Sequence, residues 1–198
     1  EAQGEVALWY FSGTNGMEKE DAKFAEWAAK AAEGGDAFGQ ALLGYAYDHG
    51  KGVEKDWVKA RHCNELAAAQ GNSTAMNNLG IMHANGQGVE KDIEKAVEWL
   101  RKGAEAGSSG AKNALGLCYL EGRGVEVNPT TAREWFEKSA AQGHMRGQLH
   151  LGEMMVKDKG GPSNVSLEFA FLERAAGAGS DEAKRLIAGA VALFQPTL

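Results

Sequence analysis

The chain has 198 residues, 43% apolar and 24% charged, a globular composition rather than a disordered one. Its net charge of −6, without a basic stripe, excludes a nucleic-acid interface built on phosphate neutralisation and suits an anionic membrane surface no better. No apolar run approaches the roughly 18 residues that a bilayer-spanning helix needs, so membrane insertion is not expected.

Two cysteines, Cys63 and Cys118, do not make a disulfide framework, and both are expected to be reduced. No secretory signal pattern is visible, and the chain starts at Glu1 without a methionine, so the compartment stays open on these grounds. The 27 glycines are about twice the usual share, yet only three prolines accompany them. Glycine must therefore be placed by a structural rule.

That rule is a repeat. Gly44, Gly80, Gly116 and Gly152 are each 36 residues apart, as are Gly35, Gly71, Gly107, Gly143 and Gly179. A bulky position reads Trp27, Cys63, Trp99, Trp135, Phe171 at the same spacing. Five repeats follow in chain order, each expected to be two helices joined by a loop. The first covers 2–35, with Tyr10 in an aromatic position and one extra loop residue at Gly13–Met17. The first 35 residues hold seven acids (Glu1, Glu5, Glu18, Glu20, Asp21, Glu26, Glu33) against three lysines, a net −4.

The second repeat is 36–71, with the loop GKGVEKD at Gly50–Asp56. The third, 72–107, is the most regular. Ala75, Leu79 and His83 recur at helical spacing in its first half, and Ala96, Trp99, Gly103 and Ala104 form an apolar stripe in its second. Its loop reads GQGVEKD, and that of the fourth repeat, 108–143, reads GRGVEVN. The fifth, 144–179, departs most, with KDKGGPSN at Lys157–Asn164, where an irregular loop is expected. A helix over about 180–194 then begins like a sixth first half and reads as a cap over the last repeat. The whole of 1–198 reads as one repeat domain.

The punctuation fits. Asp56, Asp92 and Asn128 stand where helix N-caps are needed, and Pro129 follows at a first helical position. Gly71, Gly107, Gly143 and Gly179 stand where helices end in the left-handed conformation. A glycine inside a helix costs about 1 kcal/mol relative to alanine, so the one after Leu43, Leu79, Leu115 and Leu151 implies close contact between helix backbones.

Together these residues resemble the Sel-one-like repeat, a relative of the tetratricopeptide repeat. Ala75, Leu79, Gly80, Gly86, Gly88, Val89, Asp92, Lys95, Ala96, Trp99, Ala104 and Gly107 match its signature in order, and the resemblance covers nearly the whole chain. It implies an all-α fold, a right-handed α-α superhelical solenoid of helix-turn-helix repeats. It also implies a bacterial interaction module acting as adaptor, scaffold or inhibitor of immunity type, with a periplasmic or secreted setting favoured over the cytoplasm.

Residues that carry chemistry are few. His83 occupies the position of Tyr10, Tyr47, Tyr119 and Met155, which makes it a core or semi-buried residue, and Cys63 stands in for the repeat tryptophan. No metal-binding, nucleophilic or phosphate-cradling motif is present, so no metal, cofactor or catalytic residue is assigned. In the resembling folds the first helix of each repeat lines the concave face, and the positions that vary between repeats are free to recognise a protein or peptide. Here those are Phe38, Tyr45 and His49; Asn77, Ile81 and Asn85; Asn113, Leu117 and Glu121; and Arg146, Glu153 and Lys157, with Leu8, Phe11, Ser12 and Thr74 beside them. The competing readings are a hydrolase acting on a cell-wall or antibiotic substrate and a purely structural oligomer. The sequence does not set the oligomeric state.

Overall fold

In the computed structural model residues 2–156 and 165–194 are described; the expected irregular loop Lys157–Asn164, and with it Lys157, lies outside them. Among the described residues there are eleven α-helices and no strand. They are α1 (Ala2–Ser12), α2 (Asp21–Glu33), α3 (Ala37–His49), α4 (Trp57–Ala69), α5 (Ser73–Asn85), α6 (Ile93–Glu105), α7 (Ser109–Glu121), α8 (Pro129–Ala141), α9 (Met145–Val156), α10 (Val165–Gly177) and α11 (Asp181–Phe194). The chain divides into two compact units, Glu1–Ser108 and Ser109–Leu198. The net charge divides unequally. The first unit carries 17 acids against 11 lysines and arginines, a net −6, and the second carries ten of each.

Within the first unit, α3 packs against its hairpin partner α4, against the preceding α2, and against the first helices α1 and α5. Within the second, α7 packs on α8, α8 on α9, α9 on α10, and α11 closes on both α9 and α10. The expected terminal helix is therefore present. Ala183 is buried there with Leu172 and Ala175, and Leu186 and Ile187 pack alongside.

The caps form as the sequence requires. The Asp56 carboxylate accepts from the backbone N–H groups of Val58 and Lys59, that of Asp92 from Lys95, and the Asn128 amide oxygen from Thr131, all at 2.9–3.0 Å. Their first-helix counterparts are capped too: Asp36 accepts from Gly39 N–H, Asn72 from Ala75, His144 Nδ1 from Gly147 and Ser180 Oγ from Ala183. The loop closes through the aromatic position, whose carbonyl accepts from the N–H of the next cap. Tyr10 pairs in this way with Glu20, Tyr47 with Asp56, His83 with Asp92 and Tyr119 with Asn128. Gly71, Gly107, Gly143 and Gly179 have φ between +81° and +101°, the left-handed ends expected of them.

Two details of the packing go beyond what the periodicity gives. The buried bulky residue of the second helix is not the repeat tryptophan but its neighbour. Leu100 and Phe136 are buried, whereas Trp99 and Trp135 are half-buried. The indoles lie at the border of the core, and the ammonium three residues on covers each ring: Lys30 over Trp27, Lys102 over Trp99 and Lys138 over Trp135, at 4.4–4.7 Å. A large amphipathic ring with a cation on its face is stable at such a border.

The helical glycine does mark a close helix contact, since a Cβ on Gly44 or Gly80 would lie 3.3 or 3.2 Å from a backbone carbonyl of the partner helix, but the nearest neighbour is a side chain. A Cβ added to Gly44, Gly80, Gly116 or Gly152 would first meet a side chain, that of Asn64, Leu100, Phe136 or Leu172 respectively, before any backbone atom. The helical glycine is thus the socket for the bulky residue of the partner helix. In the first repeat, once its extra loop residue is allowed for, the same pair is Ala7 and Ala28, both in one core cluster. Small against large in four repeats and small against small in one keep the two helices close.

Candidate binding groove

The first unit carries two adjoining hollows on its first-helix face. One, of about 200 Å³, is lined by Leu8, Phe11, Phe24, Phe38, Ala41, Leu42, Tyr45, Asn72, Thr74 and Asn78. The other, of about 240 Å³, is lined by Gly44, Tyr45, Asp48, His49, Asn64, Asn78, Ile81, Met82 and Gln87. Tyr45 and Asn78 border both, so the hollows form one groove.

The first hollow is aromatic. Phe11 lies 5.1 Å from Phe24 and 5.4 Å, edge on, from Tyr45. The Tyr45 ring stacks on His49 at 4.1 Å, and His49 Nδ1 lies 3.1 Å from the Tyr45 carbonyl. Phe38, on the wall of the first hollow, and Ile81, on the wall of the second, stay 38% and 43% exposed and leave apolar surface open to a ligand. The second hollow is polar. Asn64 is buried beside Gly44; its Nδ2 donates to the Ala60 carbonyl at 2.8 Å, and its Oδ1 accepts from Asn78 Nδ2 at 3.1 Å.

Four of the sequence-predicted site residues, Phe38, Tyr45, His49 and Ile81, are therefore brought together. Asn77 is half-buried and Asn85 exposed on α5, and neither lines the groove. In the second unit, Asn113 is not a surface residue. It is buried at 6% exposure, and its Oδ1 lies 2.8 Å from His150 Nδ1. Leu117 packs half-buried against the cluster of Phe136 and Leu151. Glu121 and Arg146 are exposed and Glu153 is half-buried.

Sequence reasoning missed Phe24, Leu42, Asp48, Asn64 and Asn78 as groove residues. The signal was available in the repeat register. Asp48 stands where the other repeats have Phe11, Ala84, Leu120 and Val156, and Asn64 where they have Ala28, Leu100, Phe136 and Leu172.

The remaining chemistry is structural. Cys63 and Cys118 are buried and neither is in a disulfide, and burial pushes the Cys63 thiol pKa up. His83 is buried, as its repeat position suggested, and burial holds its pKa below the usual imidazole range. The acids of the first repeat are partly neutralised within the chain: Glu20 by Lys23, Glu26 by Lys30 and Asp21 by Lys51, at 2.7–3.1 Å. Among the described residues no group of three histidines, cysteines or acids is placed to hold a metal ion. No described helix is long and apolar enough to cross a membrane.

Residues 1–36, 37–72, 73–108 and 109–144 each match the Sel1 repeat. The chain belongs to the Sel1 repeat family. The fifth helix pair is outside those four matches, yet it keeps the glycine socket in Gly152 and Leu172. Solved Sel1-type structures agree with the fold. A Sel1 repeat protein from Oxalobacter formigenes is 30% identical with a TM-score of 0.80, the match covering 100% of this chain and 78% of that one. A protective antigen of uropathogenic Escherichia coli with the SLR fold is 31% identical, also with a TM-score of 0.80, over 100% of this chain and 42% of that one. A Sel1 repeat protein from Klebsiella pneumoniae, at 24% identity and a TM-score of 0.63 over 94% and 90% of the two chains, supports the fold alone. Comparison with curated proteins finds no match. Sel1 repeats are, as a class, modules for protein interaction, and this chain has the all-helical architecture of that class.

Proposed function

We propose that this Sel1 repeat chain is a non-catalytic binding module that holds a segment of a partner protein in the groove of its first unit. The observation that carries the reading is the groove itself: two adjoining hollows with Phe38 and Ile81 left partly exposed on their walls. Apolar anchors with a few orienting polar groups are what a peptide site needs, and binding energy concentrates on such central, water-excluding contacts. The acting role is that of an adaptor, scaffold or inhibitor, and a periplasmic or secreted setting fits it best.

A photo-crosslinking amino acid placed at Ile81 and, separately, at Glu94 on the exposed side of α6 tests the reading. In extract of the source organism the Ile81 probe should give a discrete adduct, and the Glu94 probe should give none. Adducts from Glu94 alone would move the working surface to the second helices.

A further inference from the structure

The polar hollow is built against the grain of the repeat. Asp48, Asn64 and Asn78 converge on it. In the repeat register Asp48 and Asn64 replace residues that are apolar in every other repeat, and Asn78 aligns with Leu42, Ala114 and His150. The repeat itself is therefore satisfied by apolar side chains at the first two positions, and packing does not explain the change.

The two asparagines are partnered, since Asn78 donates to Asn64, which donates to Ala60. The carboxylate of Asp48 is not fully satisfied. Its Oδ1 is buried without a hydrogen-bond partner, and its Oδ2 has His49 Nδ1 at 3.3 Å, a nitrogen that also lies against the Tyr45 carbonyl. One Nδ1 proton cannot serve both acceptors fully. Asp48 is the one Asp or Glu among the residues lining the two hollows, and no lysine or arginine lines either. A half-buried acid with an unmade hydrogen bond is a destabilising feature that a cationic donor would relieve. The aromatic hollow next to it takes an apolar side chain, and Tyr45 joins the two.

Resting on the groove reading above, we infer that the partner segment pairs an apolar anchor with an adjacent arginine or lysine. The anchor fills the hollow of Phe11, Phe24 and Phe38, and the basic group donates to Oδ2 of Asp48, whose neighbouring donor, His49 Nδ1, is shared with the Tyr45 carbonyl. The surrounding charge agrees, because the entire net −6 of the chain lies in this unit. Long-range attraction would speed the encounter with a basic segment, and the contact at Asp48 would select it.

The test uses a random 12-residue peptide library displayed on phage and selected on the full chain, with enriched peptides then synthesised for fluorescence anisotropy. Enriched peptides should place Arg or Lys within a few residues of Leu, Phe, Ile or Trp, and Phe38→Asp should abolish their binding. Asp48→Asn should weaken the basic peptides at least tenfold, and Asp48→Glu should restore most of the loss. Arg→Gln versions of the peptides should bind the parent and Asp48→Asn equally. Should Asp48→Asn melt early, Arg→Gln and Arg→Glu peptides titrated against the unaltered chain read the same contact from the other side. Groove-dependent peptides without a basic preference, or an unchanged affinity for Asp48→Asn, would overturn this inference and leave the groove reading standing. Peptides indifferent to both Phe38→Asp and Ile81→Asp would overturn the groove reading, and this inference with it.

Discussion

Replacing Gly116 by alanine tests the socket on which the helix pairs depend. The new Cβ would lie 2.5–2.8 Å from three ring atoms of Phe136, well inside van der Waals contact. Phe136 is 0% exposed, and the His150 ring lies 5.1 Å from its own, so the phenyl has little room to swing away. Overpacking of this kind costs about 1–3 kcal/mol. Against it stands the better helix propensity of alanine, worth about 1 kcal/mol. The single substitution should therefore be destabilising overall. In a Phe136→Ala background, itself about 3–5 kcal/mol less stable than the parent, the obstacle is gone. There Gly116→Ala recreates the Ala7 and Ala28 pair of the first repeat and should stabilise by up to about 1 kcal/mol. The sign of one substitution thus reverses with its partner, a coupling of roughly 1–3 kcal/mol. Urea unfolding of the four proteins, followed by circular dichroism at 222 nm, measures it. If Gly116→Ala stabilises the parent chain, or acts alike in both backgrounds, the glycine is not a socket.

Trp135→Ala should cost clearly less than Phe136→Ala in the same unfolding assay, because the indole is half-buried and the phenyl fully so. Equal losses would restore the tryptophan to the core. Both cysteines should resist iodoacetamide at neutral pH in the folded chain and gain one label each in urea, read by intact mass. A mass two daltons low before reduction would reveal a disulfide instead. Burial, foremost, depresses the pKa of His83, His144 and His150 below their ordinary value of 6.5. The folded chain then binds fewer protons than the unfolded one just below that pH, so stability is full above about 6.5 and falls as pH drops through it. His144 adds a reason, since its Nδ1 must be unprotonated to cap α9. A melting temperature lower at pH 5.5 than at 7.5 is expected, with His144→Asn reducing the difference; a flat profile would contradict it.

Much of the fold was legible because the repeat states its constraints four or five times. Caps at Asp56, Asp92 and Asn128 and left-handed glycines at Gly71 and Gly107 follow from local backbone chemistry, which needs no tertiary information. The phase of the second helix was less legible. Trp99 and Leu100 are neighbours about 100° apart on the helix, and apolar spacing alone favours the larger residue. A lysine three residues after three of the repeat's tryptophans was the overlooked sign that the indole faces the border. For the candidate site, variation between repeats picks out Tyr45 and Ile81, which line the groove, and also Asn113, which is buried. Variation alone does not tell a free surface from a contact between successive repeats, and Asn113 is used up by His150. Departures in polarity lead instead to Asp48 and Asn64, which line the polar hollow.

We place the partner in the groove of the first unit and not on the second-helix surface, and isothermal titration of the captured partner segment against the parent chain, Ile81→Asp and Glu94→Ala decides between the two surfaces. A loss of about 1–2 kcal/mol or more for Ile81→Asp, with unchanged melting temperature and no effect of Glu94→Ala, is the result expected. Full affinity in Ile81→Asp together with a loss in Glu94→Ala would contradict the account.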